Sequence, residues 1–175
     1  MKNIIKEKGF KEFANELGEE LRRIRRIQSI SISQLAESTG LHWNTISDAE
    51  RGRKDLSLVS MARIMAALGS DKFDVSEATF KFEINEMNEY PALFDVLSIP
   101  ANQIVYMTSK AVRSQRSKLG FTIECIAELT GIHKNSIWNI EKALVNPSIF
   151  NLFKIHKNLQ VKTLKGCSSG LYIIK

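Results

Sequence analysis

Apolar positions along the chain fall into short runs of helical period separated by polar breaks. Phe13, Leu17, Leu21 and Ile24, continued by Ile27 or Gln28, recur at steps of three and four and predict a first helix with one apolar face. Ser31 can accept a free backbone N–H, so it predicts the N-cap of a second helix, "ISQLAEST", with Leu35 and Ala36 turned inward. Gly40 ends that helix because the tight turn needs positive φ, and Leu41 plugs the turn. His42 stands at the N-cap of a third helix, "WNTISDAE", whose inward residues are Ile46 and Ala49. The polar stretch "RGRKD" leads to a fourth helix, capped by Ser57, that gathers Leu58, Met61, Ile64, Met65 and Leu68.

The pattern then occurs again. A shift of 91 residues lays Leu21–Leu68 on Val112–Leu159 without a gap, and 14 of 48 positions are identical. The matches include Arg25/Arg116, Ala36/Ala127, Gly40/Gly131, His42/His133, Asn44/Asn135, Ile46/Ile137, Glu50/Glu141 and Ser57/Ser148. In the second copy Thr122 caps, Ile126 and Ala127 pack, Gly131 turns, Ile132 plugs, His133 precedes the third helix and Ser148 begins the fourth. Two copies make a duplication rather than a solenoid. A small Ala in the second helix and a Gly in the turn let two helices cross closely, leaving the next helix to stand out and enter a major groove.

The same shift lays "TFKFEI" (79–84) on "GLYIIK" (170–175). Aromatic and β-branched residues suit both segments to strands. A lone strand leaves its backbone groups unpaired, so the two are expected to pair with each other or across a homodimer formed by 79–84 and 171–175. The fold class expected is mainly α, two tandem helix-turn-helix modules each followed by a short strand.

Charge refines the division. Residues 1–70 carry a net +3, residues 71–100 a net −5 and residues 101–175 a net +8. The middle segment, with Pro91 and Pro100, reads as an acidic linker containing a strand, which would face away from phosphates. The domains expected are therefore 1–70, 71–100 and 101–175. The total of +6 is modest, so the placement of cations matters more than their number. No apolar run spans a membrane, and the charged N-terminus lacks a signal-peptide core, which together predict a cytoplasmic protein without a membrane partner. Cys125 and Cys167 are far apart and lack a nearby His pair, so neither a disulfide framework nor a metal site is expected.

Both copies resemble the phage-repressor and Cro-like helix-turn-helix family, also called the XRE family. The first copy carries the resemblance on Arg25, Leu35-Ala36, Gly40, Thr45-Ile46 and Glu50-Arg51-Gly52. The second carries it on Arg116, Ile126-Ala127, Gly131, Ser136-Ile137 and Glu141-Lys142, with Ala143 where the pattern has Gly. The resemblance implies a lambda-repressor-like fold and double-stranded DNA as partner. It also implies structural ion pairs, Arg25 with Glu50 and Arg116 with Glu141. Its base-reading positions fall on Trp43, Asn44, Ser47 and Asp48, and in the second copy on Lys134, Asn135, Trp138 and Asn139. Asn can bond an adenine edge twice, Lys suits guanine acceptors, and Trp suits thymine methyls or sugars. Asp48 would repel phosphate unless it meets a cytosine amino group or points elsewhere. His42 and His133 lack the partners for metal or acid–base chemistry and suit an N-cap or a phosphate contact. Phosphate positioning falls to Arg51, Arg53, Lys54 and Lys142, and the run "RRIRR" (22–26) argues for some further backbone contact. Where the family often has a phosphate-binding Gln at the start of helix two, Ile32 and Ile123 stand instead.

These residues predict a sequence-specific DNA-binding transcriptional regulator with two recognition helices. The alternative is an antitoxin-like or scaffold protein whose second module serves dimerisation, motivated by Ala143 and Trp138. An enzyme is not expected: no nucleophile–base pair, metal cluster or glycine-rich phosphate loop is present in the sequence, and no cofactor is implied.

Overall fold

The computed structural model describes residues 8–69, 72–75, 78–83, 101–159 and 170–174. The 84–100 part of the acidic linker, the strand ends Ile84 and Lys175, and Cys167 lie outside the described residues. The first module consists of α1 (Lys8–Ile27), α2 (Ile32–Thr39), α3 (Trp43–Glu50) and α4 (Leu58–Ala67). Two strands follow, β1 (Lys72–Val75) and β2 (Ala78–Glu83). The second module consists of α5 (Ala101–Lys118), α6 (Ile123–Thr130), α7 (Lys134–Glu141) and α8 (Ile149–Asn158), with β3 (Gly170–Ile174) after it. The second, third and fourth helices of the two modules coincide under the 91-residue shift to the residue.

Local chemistry sets these limits. Ser31 Oγ accepts the Gln34 N–H at 3.1 Å, and Gln34 Oε1 accepts the Ser31 N–H at 2.8 Å, a reciprocal capping box. Thr122 caps α6 with only the first half of that box, because Cys125 stands where Gln34 does. Ser57 and Ser148 cap α4 and α8 in the same way. Gly40 and Gly131 close α2 and α6 at φ 64° and 65°, a left-handed conformation that costs a side chain dearly. The corresponding left-handed residues after α3 and α7 are Gly52 and Ala143. Gly52 also lacks space: a Cβ there would lie 2.9 Å from the Asn15 backbone.

Buried apolar residues of both modules form one core. Leu17, Leu35, Ile46, Leu58, Met61 and Leu68 enter it from the first module, and Ile126, Ile137, Ile149, Ile155 and Leu159 from the second. Ile32 and Ile123 pack against it from the start of α2 and α6. Of the two continuations expected for the face of α1, Ile27 is 68% exposed. The Gln28 amide instead donates to the Leu68 carbonyl, tying the end of α1 to the end of α4.

The modules meet at the beginnings of α4 and α8. Ser57 and Ser148 form an antiparallel bridge. Leu58 N–H donates to Pro147 O and Ile149 N–H to Leu56 O, each at 2.8 Å. Asn146 Oδ1 accepts the Val59 N–H at 3.3 Å, and Asp55 Oδ1 accepts the Phe150 N–H at 3.1 Å. On one flank α1 meets α8 through rings: Phe10 is edge-on to Phe150 at 4.4 Å, and Phe13 stacks on Phe153 at 4.4 Å. On the other flank α5 packs on α4, where the matching positions are the smaller Ala101 and Ile104, and Val59 and Ala62.

The strands form one antiparallel sheet in the order β1-β2-β3. β2 pairs with β3 within the chain, with Thr79 opposite Ile174, Lys81 opposite Tyr172 and Glu83 opposite Gly170. Pairing inside the chain is thus the one of the two expected arrangements that forms. For a homodimer through 79–84 and 171–175, β3 takes one edge of β2 and β1 takes the 78–81 part of the other, while β3 stands at the outer edge of the sheet.

Candidate nucleic-acid interface

Each module presents a helix, a turn and an outward helix: α2-turn-α3 and α6-turn-α7. The orientation of the outward helix is fixed from its end. Arg25 donates from Nε to Glu50 Oε1 and from Nη2 to Oε2 at 2.8 Å, while Nη1 reaches Ile30 O at 2.7 Å. Arg116 repeats this with Glu141 (2.6 and 2.9 Å) and Phe121 O (2.6 Å). One planar guanidinium therefore ties the end of the first helix, the loop after it and the end of the outward helix. The bidentate hydrogen bond to the carboxylate holds each arginine above its ordinary pKa.

The opposite end of each outward helix is open. His42 Nδ1 accepts the Asn44 N–H and His133 Nδ1 accepts the Asn135 N–H, each at 3.2 Å. A neutral imidazole that accepts at Nδ1 carries its proton on Nε2. Both rings are exposed, so each cap offers a donor beside the positive end of a helix, a combination suited to an anionic oxygen.

Behind the caps, Trp43 (54% exposed) and Asn44 stand in solvent on α3. On α7 the exposed residues are Lys134, Asn135, Ser136 and Trp138 (45%), with Asn139 half-buried. Ser136, which carries the family resemblance beside Ile137, is not among the reading positions that the resemblance implies, yet it is exposed on the same turn. Asp48 is half-buried.

Ser47 corrects an expectation. It was placed on the reading face, but it is only 5% exposed. Ser47 stands one turn before Glu50 and joins Ile46, Ala49 and Glu50 on the inward side of α3. Gly18 lets the backbones come so close that a Cβ there would sit 2.5 Å from Ala49 O. In the second module Ser109 replaces Gly18 and Trp138 replaces Ser47, and Trp138 reaches solvent.

The flanking cations are unequal. Arg51, Arg53 and Lys54 are exposed after α3, with Lys54 Nζ donating to Thr45 Oγ1 at 2.9 Å. After α7 only Lys142 remains, lying 5.9 Å over the Trp138 ring. Leu144 (63% exposed) and Val145 (39%) occupy the places of Arg53 and Lys54. The arginine run 22–26 is largely committed internally. Arg25 holds Glu50, Arg22 bonds the Glu50 carbonyl at 3.0 Å, and Arg23 grips Glu20 at 2.7 Å, whereas Arg26 is exposed.

Among the described residues no group of three or more His, Cys, Asp and Glu is placed to hold a metal ion, and no helix is long and apolar enough to cross a membrane.

Comparison with known proteins agrees with this geometry. Residues 16–77 match the family model described as a helix-turn-helix domain, and residues 112–165 match a second one described as helix-turn-helix. Neither the curated proteins nor the solved structures give a match.

Proposed function

We propose that this chain, which carries two tandem helix-turn-helix domains, is a DNA-binding protein of the phage-repressor-like (XRE) family and regulates transcription by reading a specific duplex sequence with α3 and α7. The domains we assign are 1–70 and 101–175 as readers and 71–100 as the acidic connection between them. The observation that carries the reading is the pair of matched, exposed helix starts, capped by His42 and His133 and both followed by an outward Asn. Asn44 and Asn135 are assigned to adenine edges, Lys134 to guanine acceptors, and Trp43 and Trp138 to thymine methyls or sugars. Asp48 and Asn139 lie at the edge of that face. His42, His133, Arg51, Arg53, Lys54 and Lys142 are assigned to phosphate oxygens, where they position without specifying.

The test is selection from a randomised duplex pool, repeated with Asn44→Ala and Asn135→Ala. Each substitution is expected to relax selection in its own half of the motif by about 1–3 kcal/mol per lost contact, with helical circular dichroism unchanged. An unaltered motif from both variants would remove the assignment.

The exposed apolar group Trp138, Leu144 and Val145 favours a second reading, in which the second module serves protein assembly. Neutralising Lys134 and Lys142 distinguishes the two. Loss of DNA affinity supports dual reading, and unchanged affinity supports assembly.

A further inference from the structure

The contacts between the modules exchange roles under the 91-residue shift. Leu58 donates to Pro147, and Ile149, the counterpart of Leu58, donates to Leu56, the counterpart of Pro147. Val59 donates to Asn146, and their counterparts Phe150 and Asp55 form the same bond in reverse. Such exchange is produced by a two-fold rotation and not by a translation along the chain. Two places mark the axis, because there a residue faces its own counterpart: Ser57 opposite Ser148, and Lys81 opposite Tyr172. The strands run antiparallel about the second of these places, as a two-fold requires.

A two-fold and a translation lead to different operators. Modules related by translation would read two copies of a sequence in the same direction. Modules related by a two-fold match the dyad of the duplex itself and read halves in opposite directions. From these contacts we infer that one chain occupies a whole operator, and that the operator is an imperfect inverted repeat. The halves are unequal because Trp43 and Asn44 read one, while Lys134, Asn135 and Trp138 read the other. The distance between halves is fixed, because the modules share one core and are joined by backbone hydrogen bonds. This inference rests on the DNA-reading function proposed above.

The experiment uses the full chain. Once selection has supplied the two half-sites, duplexes are built with the second half inverted, directly repeated, or displaced by about 5 base pairs, a half turn. Affinity is measured by titration and stoichiometry by sedimentation. The expected result is tightest binding to the inverted arrangement, one chain per duplex, and a loss of at least about tenfold for the direct repeat and for the half-turn insertion. Equal or tighter binding to the direct repeat, tolerance of the insertion, or two chains per duplex overturns the inference while leaving DNA reading intact. Absence of any enriched sequence at low salt overturns the DNA reading, and the operator geometry falls with it.

Discussion

The left-handed turn residues show how far the two copies have drifted. Gly40 and Gly131 are the same in both. Elsewhere one copy keeps Gly and the other does not: Gly52 against Ala143 at φ 57°, and Gly120 against Ser29 at φ 56°. A side chain in this region costs about 1–2 kcal/mol, partly offset by the stiffer unfolded chain. Ala143→Gly and Ser29→Gly are each expected to stabilise by about 0.5–1 kcal/mol, seen as a later midpoint in urea unfolding. Gly52→Ala should do the reverse and more, because its Cβ has no room beside Asn15. The loss of Gly at Ala143 could be read from the repeat. The same shift lays Ser29 on Gly120, so that left-handed position is marked by the glycine of the other copy.

His156 is a second such residue. It replaces Met65 in the core and is fully enclosed, and among the described residues its Nδ1 has no hydrogen-bond partner. Burial pushes its pKa down to about 4 from 6.5. The folded protein therefore holds this ring neutral, while the unfolded chain takes up a proton below pH 6.5. Its contribution is complete above that value and lost as the pH falls towards 4, up to roughly 3 kcal/mol in all. His156→Met is expected to flatten stability between pH 6.5 and 4, measured as urea midpoints across that range. An equally steep loss in the variant would assign the acid sensitivity to other groups.

At the scale of elements, the caps and turns were legible because they are local: a Ser, Thr or His before the second, third and fourth helix of each module, and a Gly after α2 and α6. The inward and outward faces were less so. The family resemblance puts Ser47 on the reading face, whereas it lies with Ile46, Ala49 and Glu50 on the buried side of α3. The outward helices consequently differ more than their matching lengths suggest. α7 carries an exposed indole where α3 has a buried hydroxyl, and after it apolar Leu144 and Val145 replace two cations. An indole assigned to thymine methyls has a chemical test. Replacing dT by dU in the α7 half-site removes the methyl and leaves every hydrogen bond. Binding should weaken several-fold for the native chain and not further for Trp138→Ala. Equal weakening of both would place the indole elsewhere.

At the scale of the molecule, the tandem arrangement and the strand pairing could be anticipated, because both follow from the shift of 91 residues. The docking of the modules could not. Its residues, 55–59 and 146–150, are far apart in sequence, and identity at Ser57 and Ser148 reads equally well as two helix caps. Asp55 is the odd member of that contact. Burial raises its pKa despite hydrogen bonds from Ser148 and the Phe150 N–H, while its counterpart is the neutral Asn146. A raised value means that the folded state favours the protonated acid, so stability from this group is present at low pH and lost as the carboxyl ionises. Asp55→Asn keeps the accepting oxygen and removes the charge. It is expected to raise the melting temperature at pH 7, with the advantage vanishing in acid below the titration of the carboxyl. A lower melting temperature at pH 7 would show that the charge is better tolerated beside the α8 N-terminus than its burial indicates.

The aromatic flank of this docking face has a further implication. In an association of identical chains every change of side chain is made twice, and whatever lies across the axis must suit its own image. Here Phe10 and Phe13 meet Phe150 and Phe153 on one side, while smaller residues hold the matching positions on the other. Covalent linkage allows that lopsidedness. Under the proposed reading it also means that a single codon change at Asn44 or Asn135 would alter the reader of one half-site and leave the other as it was, so the two halves of the target could change one at a time.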